Sequence, residues 1–272
     1  QEQLRSLKTR VTSFCSLCQS CLSNADAGVC KQVCRGWGGR GGQGTGLALS
    51  PSLCPQAFVV LSDLLLVFGP QLPRDGWDAL APLVLLPDAG LQAQLAAFLM
   101  DHVFHHSSSH EELLPMEDTE NRIEELHQRR VLLAGFCKLI IYNVLELSAA
   151  SDVFKHYAKF YSDYGDIIKE TLNRTRQIDR QEWARTLLLS LQQVWDRLGG
   201  LWGVPGVVQE ALRVFGESGR VSRGLRGALG REGIQFAFQE PPGPGPGLPP
   251  LNLPFLEVLS EFSPRLLRSD KA

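Results

Sequence analysis

A long run of apolar residues at helical spacing, over 121–198, constrains the fold of this chain more than any other feature. Apolar side chains recur every three or four positions in three stretches of it, 131–145, 153–164 and 183–195. This spacing places them on one buried face of successive helices, and no alternating strand pattern lies between them. Asp179 precedes the third stretch, where its carboxylate can accept a hydrogen bond from a free backbone N–H and cap the helix. The run therefore predicts an all-α protein.

Similar helical patterns lie on both sides of this run. They cover 4–22, 56–68, 75–86, 90–104, 207–215, 222–229 and 253–267, and Gly165 is expected to interrupt the central run. Successive antiparallel helices with short turns and one apolar face each are typical of an α-solenoid. Because no clean repeat period is visible, a globular helical domain remains the alternative.

The predicted organisation has five parts. Residues 1–27 begin a helical repeat, and 28–55 form a glycine- and proline-rich insertion that fits neither helix nor strand and is expected to be disordered. Residues 56–238 form the main helical solenoid, 239–250 form a Pro/Gly linker, and 251–272 begin the next repeat. Both ends of the chain have the pattern of a cut helix, so we expect a piece of a longer protein.

The composition excludes a general electrostatic attraction to nucleic acid or to anionic membranes. Lys and Arg number 27 against 29 Asp and Glu, a net charge of −2, so any such binding has to come from a local patch. The sequence holds no apolar stretch of the roughly 18 residues that a membrane span needs, and we expect an intracellular protein without membrane contact. The seven cysteines are then expected to be thiols or metal ligands rather than disulfides.

Five cysteines have a spacing that can hold a metal ion. They follow the patterns CxxCxxC and CxxxC, at Cys15, Cys18, Cys21, Cys30 and Cys34, and thiolates at such intervals bind zinc or iron–sulfur clusters. The first three also fall at helical spacing in an amphipathic helix, where buried cysteine acts as a small hydrophobic residue. We favour core packing and expect no metal and no cofactor. No arrangement of nucleophile, base and acid can be identified, so no catalytic residue is predicted.

Two charged segments are candidates for contact with a partner. Five arginines lie close together in the sequence and are opposed only by Glu217, at Arg213, Arg220, Arg223, Arg226 and Arg231. They could neutralise phosphates or form a solvated helical face, and their spacing does not decide between the two. Over 151–180 bases and acids are nearly matched in number, which suits specificity for a protein partner better than contact with bare DNA.

Residues 129–193 carry a family resemblance. The run RRVLLAGFCKLIIYNVLELSAASDVFKHYAKFYSDYGDIIKETLNRTRQIDRQEWARTLLLSLQQ resembles the long helical signature of the cohesin stromal antigens. Supporting stretches, colinear with the family, are SFCSLCQSCLSN, DAGLQAQLAAFLMDHVF, REGIQFAF and LNLPFLEVLSEFSPRLLRSDK, so that about two thirds of the chain is covered. The forms RRVLLAGFCKL, AASDVFKHY and SEFSPRL look closer to the meiosis-specific member than to the two mitotic ones.

The resemblance implies a HEAT-like α-solenoid that serves as a non-catalytic scaffold for sister-chromatid cohesion, in the nucleus and on chromosomes. It implies an extended kleisin segment as the direct partner, SMC subunits reached through the kleisin, and DNA contacted together with the kleisin. By the matching motifs, Asp179 and Arg180 in RQIDR and Arg231 in REGIQF are candidate kleisin-binding residues. Candidate contacts to DNA or kleisin are Lys155, Lys159, Lys169, Arg174 and Arg176.

The segment 28–55 departs from the family pattern. Between SNADAGV and PQAF the family continues with only a few residues, whereas this chain carries the Gly/Pro-rich insertion. The stretch 194–229 also matches poorly, so the arginine-rich segment draws no support from the family. Another helical-repeat adaptor that binds an extended peptide, and a metal-dependent enzyme, remain the alternative functions.

Overall fold

The computed structural model describes the chain in several stretches. These are residues 2–23, 53–74, 77–104, 119–198, 227, 229–239, 250 and 252–260. Every regular element within these stretches is a helix or a helical turn, so the predicted all-α class is confirmed. The chain divides into two compact units, Gln1–Glu146 and Leu147–Ala272. Among the described helices, none is both long and apolar enough to cross a lipid bilayer.

The first unit contains the longer helices of the N-terminal half. They are α1 (Glu2–Ser23), α2 (Leu53–Val67), α3 (Ala89–Leu99) and α4 (Thr119–Ile141), with a 3-10 turn at Asp78–Leu83 and a π-helical turn at Met100–Phe104. α2 packs against both α1 and α4. Its Phe58 ring stacks on Phe98 of α3 with ring centroids 5.2 Å apart. Burial of one such side chain contributes about 1.5–3 kcal/mol, so these contacts hold the unit together.

Two predicted helices of the first unit differ from the structure, one in where it begins and one in its type. α2 begins at Leu53, inside the predicted insertion 28–55, because Pro55 falls in the first helical turn, where a missing N–H breaks no intrahelical bond. The helix predicted over 75–86 is instead a short 3-10 turn that contains Pro82. Proline in a helix interior removes a donor and clashes with the preceding turn, which explains why no α-helix forms there.

The second unit is built around two long helices. Its described elements are α5 (Ser151–Phe154), α6 (Tyr161–Ile178), α7 (Arg180–Leu198), α8 (Ile234–Ala237) and α9 (Phe255–Ser260), with a 3-10 turn at Leu147–Ala150 and a π-helical turn at Leu229–Gly233. α7 packs against α5, α6 and the Leu147–Ala150 turn. It therefore forms the centre of this unit.

The largest buried side chains of the second unit belong to α7. Trp183 and Trp195 are 2% and 1% exposed. Nε1 of Trp195 donates a hydrogen bond to Oδ1 of Asn252 at 3.2 Å, and its ring meets the Phe255 ring edge-on with centroids 5.4 Å apart. Because Phe255 is the first residue of α9, these contacts join α9 to α7.

Three residues of the central run differ from the prediction. Gly165, expected to interrupt the run, is buried inside α6, where an added Cβ would lie 3.0 Å from the Tyr161 ring. Packing against the ring offsets the helix penalty of glycine, which is about 1 kcal/mol. Val131 and Tyr161, expected on buried faces, are 39% and 44% exposed. The helices predicted over 207–215 and 222–229 fall almost entirely outside the described residues.

Asn143 ends α4 in a left-handed backbone conformation. Its φ is 56°, and the N–H groups of Asn143 and Val144 donate to the carbonyls of Ile140 and Leu139 at 3.0 and 2.8 Å. This pair of bonds is the Schellman arrangement, in which a residue with positive φ follows the end of a helix. Asparagine is one of the few residues besides glycine that adopt this conformation readily.

Substitution of Asn143 tests this helix end. We expect Asn143→Gly to keep or raise the free energy of unfolding, because glycine adopts positive φ without strain. Asn143→Val should lower it by about 1–2 kcal/mol, because a β-branched side chain clashes in the left-handed region. Urea unfolding of the full chain, followed by circular dichroism, measures both, with Tyr142→Val at the exposed neighbouring residue as the control. An Asn143→Val protein as stable as the wild type would contradict this account.

Candidate functional site

Asp179 is the one-residue link between α6 and α7. Its backbone is extended, with φ −143° and ψ 111°. Its Oδ1 accepts hydrogen bonds from the backbone N–H groups of Gln181 and Glu182 at 2.8 and 3.0 Å, which confirms the predicted cap of α7. Asp179 and Glu182 also have capping-box spacing, and both place negative charge at the positive end of the helix dipole.

Arg176 and Trp183 connect the two helices on either side of this link. The guanidinium carbon of Arg176 lies 5.9 Å from the centroid of the Trp183 ring. A cation over an aromatic face contributes about 0.5–1 kcal/mol at a partly exposed position. Arg176 therefore has a packing role in addition to the charge that made it a candidate contact, and its removal would disturb the α6–α7 junction.

Arg180 and Arg231 are exposed on the second unit. Arg180 is the first residue of α7, next to Asp179, and Arg231 lies in the π-helical turn before α8. An ion pair joins this turn to α7, because Nε of Arg185 donates to Oε1 of Glu232 at 3.1 Å. Arg185 lies about 9 Å along the helix axis from Asp179. The structure thus places the three candidate kleisin-binding residues in one region of the unit.

Two of the remaining candidate cations are paired with carboxylates of their own segment. Nζ of Lys155 lies 2.7 Å from Oδ1 of Asp152, and Nε of Arg174 lies 2.7 Å from Oε1 of Glu170. The second pair is largely exposed and the first is partly so, and pairs of this kind contribute at most about 1 kcal/mol. A phosphate or a carboxylate of a partner could therefore replace the present partner of either cation.

The candidate DNA or kleisin contacts are spread along α6. Lys159 precedes its first turn, with Nζ 5.0 Å from the centre of the Phe160 ring, and Lys169 is exposed near its middle. α6 has 18 residues and is therefore about 27 Å long. Lys155 and Lys159 lie at the opposite end of α6 from Asp179, so the eight predicted residues do not form a single cluster.

A row of side chains along α7 connects the Asp179 end with the π-helical turn. Glu182, Arg185, Leu189 and Gln192 recur at helical spacing on one face. The side chain of Arg185 is 47% exposed and Leu189 is 39% exposed. The other faces of α7 carry the buried tryptophans and leucines, so this row is the part of the helix available to a partner.

A groove of about 460 Å³ lies at the far end of this row. It is lined by Gln192, Glu232, Gln235, Phe236, Phe238 and Gln239. Phe238 is 53% exposed, which is unusual for a large aromatic side chain. None of these lining residues is among the site residues that the sequence predicts. The sequence does contain a signal for this groove. In IQFAF, residues 234–238, a large apolar residue stands at every second position, and one buried face of a helix does not explain that spacing.

The described cysteines of the predicted metal pattern lie in α1. Cys18 and Cys21 are 0% and 1% exposed, which confirms core packing for these two residues. Burial raises the pKa of the Cys18 thiol to about 12, and the nearby Cys15 adds to the rise. The Cys18 thiol is therefore protonated at neutral pH, as expected for a cysteine that packs as a small hydrophobic residue. The other two cysteines of this pattern, Cys30 and Cys34, lie outside the described residues.

Four of the five residues of the arginine-rich segment also lie outside the described residues. They are Arg213, Arg220, Arg223 and Arg226.

Comparison with known proteins gives consistent matches over the whole chain. Residues 213–272 match the family model of the STAG protein C-terminal domain. The chain is 50% identical to cohesin subunit SA-3 of Mus musculus over 282 residues, which cover 99% of this chain and 21% of that protein. It is 49% identical to cohesin subunit SA-3 of Homo sapiens and 43% identical to cohesin subunit SA-1 of Xenopus laevis, over 100% of this chain and 21% of each relative. The chain thus spans about a fifth of the length of these relatives.

The cap at Asp179 predicts how substitutions there change stability. Asp179→Ala should lower the free energy of unfolding by about 1 kcal/mol, because two backbone N–H groups lose their acceptor. Asp179→Asn and Asp179→Ser should remain close to the wild type, since an amide or hydroxyl oxygen can accept the same bonds. Urea unfolding measures all three variants. Equal losses for the Ala and Ser variants would show that the side-chain oxygen does not stabilise α7.

Proposed function

Because the chain belongs to the stromal antigen family of cohesin subunits, we propose that it forms part of a non-catalytic scaffold that binds the kleisin subunit and contacts DNA together with it. In this role it acts in sister-chromatid cohesion on chromosomes in the nucleus, and the SMC subunits are reached through the kleisin. The 49–50% identity to SA-3 proteins, against 43% to an SA-1 protein, supports a meiotic role. The packed helices of both units support a HEAT-like repeat.

The exposed row on α7 is the observation that carries this proposal. From Asp179 to Gln192 it measures about 20 Å along the helix axis, which matches about six residues of an extended peptide. Its first charged groups have both signs, at Glu182 and Arg185, and Asp179 precedes them. A protein segment of mixed charge can match these groups, whereas a DNA backbone of a single charge sign cannot.

The candidate cations in and before α6 support DNA contact as part of a complex with the kleisin. The chain has a net charge of −2, and Lys155 and Arg174 already have acidic partners. DNA affinity depends on the number of phosphates that a protein neutralises, because each one releases condensed counterions. Basic residues of the kleisin are therefore expected to complete the surface that contacts DNA.

Binding of the full chain to a recombinant kleisin subunit tests the site. Arg231→Glu should raise the Kd about tenfold or more, because charge reversal at a complementary contact costs more than 1.4 kcal/mol. Asp179→Asn removes the charge but keeps the cap of α7, so its effect reports binding rather than folding. We expect this variant to raise the Kd about fivefold. Isothermal titration calorimetry provides the measurement.

Matched controls are available in the first unit. Arg10→Glu in α1 and Asp63→Asn in α2 make the same charge changes at exposed residues, and should leave the Kd within about twofold of the wild type. Wild-type affinity in both Arg231→Glu and Asp179→Asn would overturn the site assignment. A wild-type chain that does not bind the kleisin at all would overturn the proposed function.

The salt dependence of DNA binding tests the contribution of Lys169. In the complex of the chain with the kleisin, Lys169→Gln should reduce the slope of log K against log salt by about 0.9, the value expected for one lost phosphate contact. Lys138→Gln, exposed in the last turn of α4, is the matched control. Fluorescence anisotropy with a labelled duplex measures the slopes. A slope unchanged by Lys169→Gln would remove this residue from the DNA-contacting surface.

A further inference from the structure

We propose that the groove at Phe238 is an anchoring pocket for one large apolar side chain of the kleisin, and that Glu232 at its edge binds a Lys or Arg of the same kleisin segment. This inference rests on the proposed function, because it takes the kleisin as the occupant. It adds the chemistry of the segment: an extended peptide in which a large aliphatic or aromatic residue lies close to a basic one.

The apolar part of the groove is rigid. Phe236 in its wall meets Phe255 edge-on with ring centroids 5.0 Å apart, and Nδ2 of Asn252 donates to the Phe236 carbonyl at 3.4 Å. Asn252 in turn accepts the indole N–H of Trp195. Because Phe255 and Trp195 are buried in the core of the unit, their contacts hold this wall in place before a side chain enters.

Phe238 gives the groove an exposed apolar side. It lines the groove and is 53% exposed. Ile234 in α8 and Leu189 on α7 are also exposed, at 46% and 39%. An exposed aromatic ring in a concave surface is a place where a partner can bury apolar area. A buried aromatic or aliphatic anchor is the kind of residue that dominates the affinity of such interfaces.

The polar lining suits a peptide main chain. Gln192, Gln235 and Gln239 each carry an amide with two donors and one acceptor oxygen. Such amides can pair with the main-chain N–H donors and C=O acceptors that alternate along an extended peptide. A helix or a sugar–phosphate backbone does not present donors and acceptors in this alternation. The lining therefore favours an extended polypeptide over a nucleic acid.

Charge complementarity identifies the second feature of the segment. Among the described residues that line the groove, Glu232 is the charged one. Its cation, Arg185, is shared, because it lies 3.1 Å from Glu232 and 3.6 Å from Glu182. One guanidinium between two carboxylates leaves one negative charge without compensation in this trio. A basic side chain of the partner neutralises this remaining negative charge, whereas an acidic side chain is repelled by it.

The position of the groove also fits a single continuous segment. The row from Asp179 ends at Gln192, which lines the groove, about 20 Å along α7. A kleisin segment that contacts Asp179 and Arg180 therefore reaches Phe238 after about six extended residues. The pocket then determines which residue of the segment lies at Phe238. The charges at the start of α7 determine the direction in which the segment runs along the helix.

The test uses the full chain and the recombinant kleisin subunit. Phe238→Ala should raise the Kd about tenfold or more, as for a central anchor residue, whereas Ile123→Ala, at a residue of α4 that is 66% exposed, should have little effect. Glu232→Gln should also weaken binding. Glu125→Gln, which breaks the exposed ion pair with Arg129 in α4, makes the same change outside the site and should leave the Kd near the wild type.

Several outcomes would overturn the pocket. If the kleisin binds the wild type but Phe238→Ala and Glu232→Gln behave like Ile123→Ala, the pocket is wrong and the proposed function stands. If Phe238→Ala weakens binding but Glu232→Gln behaves like Glu125→Gln, Glu232 does not bind a kleisin cation. If Phe238→Ala abolishes self-association in analytical ultracentrifugation while kleisin binding is intact, the occupant is a second copy of the chain. Circular dichroism of each variant confirms that it is folded.

Discussion

Burial of α7 is the constraint on which the second unit depends. Both of its indole rings lie in the core, and Trp195 is joined to α9 through Asn252 and Phe255. Each fully buried large side chain contributes about 1.5–3 kcal/mol, so the helix cannot rotate about its axis without a large loss of stability. The exposed row from Glu182 to Gln192 is therefore held in one orientation. A partner segment binds to a surface that is already ordered, which reduces the entropy lost on association.

Asp179 combines two physical roles that a binding experiment has to separate. Its carboxylate caps α7 through two backbone N–H groups, and its exposed position makes it a candidate contact for the kleisin. A carboxylate that already accepts two bonds still has lone pairs available for a partner cation. Charge reversal at Asp179 therefore removes a helix cap and a contact together, whereas an asparagine keeps the first and removes the charge of the second.

Local features of the fold could be predicted from the sequence, and contacts between distant segments could not. The helical class, α1 and the cap at Asp179 depend on apolar spacing and on residues close in sequence, which are visible without a structure. The burial of Gly165 depends on a ring one turn away, so its sequence neighbours suggested a break instead. The groove at Phe238 is lined by Gln192 of α7 and by residues 232–239, which lie far from it in the sequence, and Glu232 of the π-helical turn pairs with Arg185 of α7. Gly233, which has no side chain, also lets the π-helical turn approach Leu259 and Leu188 closely. No pattern of neighbouring residues in the sequence indicates this close approach or the ion pair.

Candidate cations in and before α6 have partners that they can exchange at low energetic cost. Lys155 and Arg174 are paired with Asp152 and Glu170, and such pairs contribute at most about 1 kcal/mol each. A phosphate that replaces the carboxylate gains a comparable electrostatic interaction and releases a counterion, but it leaves the carboxylate facing the DNA. With a net charge of −2, the chain alone therefore gains little from DNA. In the proposed complex, kleisin cations neutralise these displaced carboxylates, so that the two proteins contact DNA together.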